Sequence, residues 1–382
     1  MEDWRNGGFG LYLHWPFCQS KCPYCDFNSH VAASVDQKRW ETAFLAEIDR
    51  IGAETQGRVL NTVFFGGGTP SLMNPDLVAA ILERVRSTWI MANDLEVTLE
   101  ANPGSVEAGR FRGFSEAGVN RVSMGVQSLR DEHLRRLGRL HSVADAKRAF
   151  DIARSVFDRV SFDLIYARQD QTLDDWRAEL GEALSMAVDH LSLYQLTVED
   201  GTAFGDRLAR GGLKGLPSDD LGADMYALTQ DLCEAAGMPA YEVSNHARPG
   251  AESCHNRIYW EGGDYAGIGP GAHGRLTLDG VRWATVAERM PDAWLARAEA
   301  GSGELPREAM SSGEQADEYL IMGLRLSEGL EIARLAGMNA APSPAKIDDL
   351  ARMGMVEMTQ GRLRATAEGR IVLNSVIAAL AA

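Results

Sequence analysis

The spacing of apolar and polar positions changes along the chain, and the change divides it. In the first half, short apolar runs alternate with stretches whose apolar residues recur every three or four positions. Leu11–Trp15 reads as a first strand. Val35–Ile51 follows as a helix, with Trp40, Phe44, Leu45 and Ile48 on one face. Val59–Phe65 is mostly apolar throughout, the pattern of a parallel strand buried on both faces. The alternation continues through helix Leu77–Val85, strand Leu95–Glu100 and helix Val106–Ala117, which Gly118 caps. Strand Arg121–Met124, helix Ala144–Val156, strand Val160–Tyr166, helix Leu173–Met186 and strand His190–Thr197 complete it. Six strands with helices between them predict an α/β fold, a barrel or open barrel.

After Thr197 the rhythm breaks. Gly211–Pro217 reads as a flexible connection, and Ser218 caps a helix with Leu221, Met225, Leu228 and Leu232 on one face, ending at Gly237. From Pro239 to about Trp283 the chain is rich in Gly and aromatics. From about Pro306 three helical segments appear, Glu314–Leu326, Glu331–Ala336 and Ala345–Met353. A hairpin over Val356–Arg364, turning at Gln360-Gly361, and a helix over Thr366–Leu380 follow, the order of a winged-helix module. Residues 306–382 carry 8 Lys/Arg and 10 Asp/Glu, so a DNA-reading wing is not expected, and the module reads as structural or as a protein contact. The expected divisions are a core over 1–235, a Gly/aromatic-rich connecting region over 236–305 and the winged-helix-like module over 306–382.

Composition narrows the function classes. The 382 residues hold 38 Lys/Arg against 54 Asp/Glu, a formal charge of −16, which repels polyanions and argues against nucleic-acid binding. With 45% hydrophobic residues the chain is globular, and no run of about 18 apolar residues predicts a transmembrane segment. Met1–Gly10 lacks the apolar stretch of a signal peptide, so a cytoplasmic location is expected.

Five cysteines are too few for a disulfide scaffold, and three of them, Cys18, Cys22 and Cys25, fall together after the first strand. Three thiolates on one loop suit three irons of a cubane cluster, leaving the fourth iron open to a small molecule. A zinc site completed by His14 or His30 is the alternative. Gly66-Gly67-Gly68-Thr69-Pro70 follows the second strand and lets backbone approach a ligand closely. Glu100, Gln127, Arg139 and Asp163 fall on or soon after consecutive strands, and strand ends are where α/β barrels build active sites. A carboxylate such as Asp163, inside an apolar run, is costly unless paired or bound to ligand. Together these groups suit a nucleoside that carries an amino-acid moiety.

The cysteine spacing followed by Gly66–Pro70 resembles the radical S-adenosylmethionine (SAM) superfamily, whose fold is a partial (β/α)6 barrel. Tyr12–Cys18, Cys22–Asn28, Glu100–Gly104 and Gly125–Ser128 resemble the group that contains oxygen-independent coproporphyrinogen III oxidase and its heme-chaperone relatives. The resemblance runs nearly end to end. It implies a [4Fe-4S] cluster on Cys18, Cys22 and Cys25. It also implies SAM contacts at Tyr12, Gly67, Gly68, Thr69, Glu100, Gln127, Arg139 and Asp163, with Gln195 and Ile268 as two further positions.

Three features separate the chaperones from the oxidase. The oxidase has a further cysteine two positions after the third ligand, where this chain has Phe27. It also has a long N-terminal extension, whereas 17 residues precede Cys18 here. Finally, His255-Asn256-Arg257-Ile258-Tyr259-Trp260 fits the HNxxYW motif of the chaperones. The resemblance therefore implies a heme chaperone that binds heme near His255 and passes it to an acceptor, such as a respiratory heme protein. Reductive SAM cleavage with oxidative decarboxylation of coproporphyrinogen III is the alternative. A plain iron–sulfur electron carrier leaves the SAM constellation unexplained. By its residues alone, His255 beside aromatics reads more readily as a structural histidine; the resemblance favours heme. His273, on a Gly-rich loop, is a weaker candidate; Cys254 could offer a thiolate but reads more readily as a buried inert thiol, and Cys233 reads as core. The group has Gly-Leu-Pro-Gly-Gln after the fifth strand, where this chain has Ala167-Arg168-Gln169-Asp170-Gln171. Losing two glycines and a proline changes the turn's backbone options.

Overall fold

The alternation of buried strand and amphipathic helix builds a parallel sheet. A computed structural model describes residues 2–381; Met1 and Ala382, at the ends of the expected first and last divisions, lie outside the described residues. The frame is β1 (Phe9–Trp15), β2 (Val59–Gly67), β3 (Ile90–Ala101), β4 (Arg121–Gln127), β5 (Arg159–Tyr166) and β6 (His190–Gln195). Each strand pairs in parallel with the next. Parallel neighbours need crossovers, and α1 (Gln37–Glu54), α2 (Pro75–Thr88), α3 (Ala108–Ala117), α4 (Val143–Arg154) and α5 (Leu173–Met186) supply them. Local signals set the helix ends. Ser142 with Asp145 and Thr172 with Asp175 form capping boxes for α4 and α5, and Gly118 closes α3 at φ 114°.

β3 is longer than the expected Leu95–Glu100. Its early part, around polar Asn93 and Asp94, hides the alternation, yet Ile90 and Met91 pair with Val59 and Leu60 across a register shift. After α6 (Asp219–Ala235), the Gly/aromatic-rich segment does more than connect. Its first strand, β7 (Asn245–Ala247), pairs antiparallel with β6. Beyond α7 (Cys254–Trp260), β8 (Asp264–Ile268) pairs in parallel with β1. β9 (His273–Leu278), β10 (Val281–Val286) and β11 (Glu308–Ala309) complete an 11-stranded sheet ordered β11-β10-β9-β8-β1-β2-β3-β4-β5-β6-β7. The two edges do not meet, so the barrel is open.

Inside the barrel the side chains follow the two-residue strand period. On β4, Ser123, Gly125 and Gln127 line a cleft, while Val122, Met124 and Val126 join the apolar layer. Deeper, Glu96 of β3 lies 3.9 Å from Arg121 and 3.6 Å from Arg159. Its carboxylate accepts the N–H groups of Cys254 and His255 at 3.3 and 3.1 Å, binding the positive N-terminal end of α7 within the barrel.

The C-terminal module runs α8 (Ser312–Gly323), β12 (Leu330–Glu331), α9 (Ile332–Gly337), α10 (Pro344–Arg352), β13 (Val356–Thr359), β14 (Arg362–Ala365) and α11 (Leu373–Ala381). Its three strands order β12-β14-β13, and Leu320, Leu350, Leu363 and Val376 share a separate core. Gln360 and Gly361, at φ 52° and 80°, make the hairpin turn. The helix expected over Thr366–Leu380 breaks at Val372, which leaves helical geometry at φ −115°.

The altered loop after β5 keeps a glycine-type backbone without glycines. Ala167 and Asp170 both sit at φ 57°, the two positions where the resemblance implies glycine. Arg168, in place of leucine, is 3% exposed and ion-paired with Glu179, which is 1% exposed. Glu179 in turn accepts from Ser128 Oγ and the Leu129 N–H, each at 2.7 Å. These bonds hold the turn against left-handed strain, which costs an L-residue roughly 1–2 kcal/mol. Ala167→Gly should therefore raise unfolding free energy, by about 1 kcal/mol after the added unfolded-state entropy. Urea denaturation checks this; a loss of stability would show that the backbone is not strained there.

Candidate functional site

β1 ends at Trp15 and the chain turns at once into the cysteine loop. Two-residue strands, Phe17–Cys18 and His30–Val31, pair in parallel and tie its ends together. The Cys25 N–H donates to the Cys22 carbonyl at 3.1 Å and closes a turn between them. Each sulfur meets its own hydroxyl or guanidinium. Thr69 Oγ1 donates to Cys18 Sγ at 3.4 Å, Arg139 Nη1 donates to Cys22 Sγ at 3.4 Å, and Ser29 Oγ lies 3.8 Å from Cys25 Sγ. Hydrogen bonds to cluster sulfurs tune reduction potential.

Among the described residues, no three His, Cys, Asp or Glu side chains are placed to hold one ion. His14 has both ring nitrogens bonded, to Tyr12 Oη at 3.0 Å and the Asn28 carbonyl at 2.9 Å. His30 Nε2 contacts Asn28 Oδ1 at 3.1 Å. A cubane asks each thiolate to reach a different iron, so this arrangement fits a cluster better than a single zinc. Burial pushes the Cys18 and Cys25 thiols above their usual range, so loading metal releases protons.

Beside the loop lies a cleft of about 1020 Å3, its open mouth included. The sequence-expected residues Gly67, Gly68, Thr69, Glu100, Gln127, Arg139 and Asp163 all line it, together with the three cysteines. Gly67 sits at φ 110°, and a Cβ on Gly68 would lie 2.8 Å from the Phe17 carbonyl oxygen, so only glycines let these loops touch. The Gly67 N–H donates to Glu100 Oε2 at 3.1 Å. Burial, with Asp163 nearby, pushes the Glu100 carboxyl up to about 8. Burial also pushes Asp163 up to about 6, opposed by hydrogen bonds from Ser192 and Ser123. Two buried carboxyls reluctant to ionise favour a cationic or hydroxyl-bearing ligand between them. Gln127 holds φ 70°, and its Oε1 is buried without a partner, as is Arg139 Nε. Orphaned buried polar atoms of this kind mark a place for a polar ligand. The site therefore fits SAM.

Three expected contacts lie outside this cleft. Tyr12 faces a second cavity. Gln195 ends β6 with its side chain exposed, and Ile268 is 1% exposed in the core beside β1. His255 is also placed elsewhere. It is 1% exposed, its Nδ1 lies 2.7 Å from Thr62 Oγ1 and its Nε2 lies 2.6 Å from Tyr259 Oη. The ring stacks on Phe64, and burial lowers its pKa to about 3. Both of its nitrogens are thus engaged inside the barrel.

The second cavity, about 1810 Å3 with its mouth, shares Phe27, Gly67 and Glu100 with the first. Tyr12, Tyr259, Trp260, Tyr265, His273 and Arg289 also line it. Phe27, in place of the oxidase cysteine, is 61% exposed where the two cavities meet. Ser29, Ser123 and Tyr24 line the first cleft as well, and none of them was expected from the sequence. For Ser123 a signal existed: Arg121, Ser123, Gly125 and Gln127 alternate with Val122, Met124 and Val126. For Ser29 there was none.

The chain is similar to known proteins. The Radical SAM superfamily model matches residues 12–181, and the HemN C-terminal domain model matches residues 310–372. The chain is 38% identical to radical S-adenosyl methionine domain-containing protein 1, mitochondrial, of Bos taurus, over 97% of this chain and 86% of that protein. It is 37% identical to heme chaperone HemW of Escherichia coli, over 96% of each. It is 33% identical to heme chaperone HemW of Bacillus subtilis, over 96% of this chain and 98% of that protein. Among solved structures, coproporphyrinogen III oxidase (HemN) of Escherichia coli shares the fold, with a TM-score of 0.81, 21% identity, and coverage of 98% of this chain and 90% of that one.

Proposed function

The chain belongs to the radical SAM family that includes the HemW heme chaperones, and from that premise we propose that it binds heme and passes it to an acceptor protein. The observation that carries this reading is the aromatic wall of its second cavity. Tyr259 and Trp260 of the HNxxYW motif present aromatic surface to a large cavity that adjoins the cysteine cleft, suiting a flat tetrapyrrole. Phe27 stands at the junction, where a thiol beside the cluster would serve the oxidase.

In this reading Cys18, Cys22 and Cys25 hold a [4Fe-4S] cluster, which supplies an open iron and an electron. Arg139 receives the carboxylate of SAM. Glu100 and the backbone around Gly67 receive its ammonium, and Asp163 and Gln127 receive its nucleoside. Thr69, Arg139 and Ser29 hold the thiolates in place. The proposed place of action is the cytosol, where thiols stay reduced; all five cysteines are free. No helix among the described residues is long and apolar enough to cross a membrane.

The test is a pair of assays on one preparation. Cluster-loaded protein carrying heme should transfer it to an apo heme protein such as apomyoglobin, read as growth of the acceptor's absorption band. The same protein, given coproporphyrinogen III, SAM and a strong reductant without oxygen, should form neither harderoporphyrinogen nor protoporphyrinogen. Repeated turnover to either product would overturn the chaperone reading and establish the oxidase.

A further inference from the structure

We propose that Arg168 and Glu179 are positioning residues of the SAM cleft, which fix from outside it the left-handed bend that aims the Gln127 amide. The inference rests on the SAM-binding reading above and concerns two residues that do not themselves line the cleft.

The end of β4 is irregular. Its pairing with β5 shifts register between Met124 and Gln127, and Gln127 then takes φ 70°. A glutamine seldom adopts that angle, and a residue so strained persists only where its surroundings over-determine it. The amide is not what holds it, since Gln127 Oε1 is buried without a partner. Gly125 merely leaves the amide room: a Cβ there would lie 2.9 Å from Gln127 Nε2. The restraint acts on the backbone. Three successive carbonyls each accept from a side chain: that of Gly125 from Arg139 Nη2 at 2.8 Å, that of Val126 from His141 Nε2 at 3.1 Å, and that of Gln127 from Arg168 Nη1 at 3.4 Å.

Arg168 is itself anchored. Its guanidinium donates to both oxygens of Glu179 on α5, Nη1 to Oε1 at 3.2 Å and Nη2 to Oε2. Glu179 Oε1 also accepts from Ser128 Oγ and the Leu129 N–H, so the pair grips Gln127 and the two residues after it. On its other side it holds the loop after β5. There the Arg168 N–H donates to Gln171 Oε1 at 3.2 Å, and Gln171 Nε2 donates to Glu179 Oε2 at 3.5 Å. A buried ion pair adds little net stability, because desolvation offsets the attraction. What this one supplies is direction: a planar fork with fixed donors sets where the Gln127 carbonyl lies, and with it the amide. The resemblance implies leucine at position 168, and a leucine could make none of these side-chain bonds.

The experiment uses the full chain with its cluster reconstituted anaerobically and iron content matched between variants. SAM affinity is read by calorimetry and thermal stability by circular dichroism, for Arg168→Leu, Gln127→Ala and the double variant. Each single variant should bind SAM about tenfold more weakly. The double variant should bind no more weakly than Gln127→Ala, to within about twofold, because the amide that Arg168 aims is gone. Thermal stability should instead fall equally on loss of Arg168 in both backgrounds. Arg168→Lys keeps a charge beside Glu179 without the fork, and should recover part of the affinity. If the two losses multiply to about a hundredfold, or if Arg168→Leu leaves SAM affinity unchanged, the pair serves only the fold and the assignment is overturned. If wild type binds no SAM, the SAM reading fails and this inference with it. If wild type binds SAM and Gln127→Ala keeps full affinity, the SAM reading stands and the inference falls alone. Should Arg168→Leu fail to fold, Arg168→Lys takes its place in the same cycle. A severalfold loss with Gln127 present and none without it is then expected, and equal losses in both backgrounds, or none in either, would refute the assignment.

Discussion

Cys22→Ala should reduce bound iron from about four atoms per chain to nearly none, with acid-labile sulfide falling in parallel. In the proposed site three thiolates would ligate the cluster, so removing one would leave two irons without protein ligands. Cys22 is also the sulfur that Arg139 contacts, so its loss removes one of that buried guanidinium's partners as well. Nothing nearby substitutes: His14 is bonded at both nitrogens, and Cys254 lies on α7, away from both cavities. Cys233→Ala and Cys254→Ala should keep the full iron content, which makes the effect one of ligand loss and not of thiol count. Iron and sulfide analysis after anaerobic reconstitution, with the visible spectrum, reads the result. Four irons retained in Cys22→Ala, or stoichiometric zinc without sulfide in wild type, would show that the loop is not a cluster site.

Arg139→Ala should weaken SAM binding about ten- to hundredfold, equivalent to roughly 1.5–3 kcal/mol for a lost charge-assisted bond. The segment after β4 delivers Arg139 to the cleft, where one guanidinium nitrogen donates to the Gly125 carbonyl at 2.8 Å and another to Cys22 Sγ. Its Nε has no partner and remains available to a carboxylate. Arg139→Lys should recover only part of the loss, since an ammonium cannot reproduce the fork that bonds backbone, sulfur and ligand together. Calorimetry on cluster-loaded protein measures it, with iron content matched between variants so that an altered cluster does not pass for altered SAM affinity. Unchanged affinity in Arg139→Ala would remove Arg139 from the site.

Residues that act through local spacing are legible in the sequence alone. Cys18, Cys22 and Cys25 lie on one loop, so their spacing speaks directly of their joint chemistry. The glycine run is similar, because its use depends on backbone freedom that glycine carries wherever it stands. Asp163 stands out as a carboxylate in an apolar strand. Ile268 and Gln195 do not follow their motif into the cleft. Both sit on strand positions whose orientation depends on pairing register, and a strand shows alternate faces at every step. His255 shows the converse. Its neighbours Tyr259 and Trp260 do wall a cavity, yet helical spacing turns the histidine into the barrel, where Glu96 and Thr62 receive it.

The order of strands and helices in the first half, the cysteine and glycine loops, and the winged-helix-like tail are legible from the chain alone, because each depends on periodicity, capping or spacing within a few residues. Three further features come only from folding. It extended both edges of the parallel sheet with strands from the Gly/aromatic segment. It held glycine-type angles at Ala167 and Asp170 by a buried Arg168–Glu179 pair. It placed the His255 ring inside the barrel, between Thr62 and Tyr259. Each of these depends on which groups far apart in the chain come to lie within hydrogen-bonding distance. A side chain's availability is set by what its partners leave unsatisfied, and those partners are known only once the chain has folded.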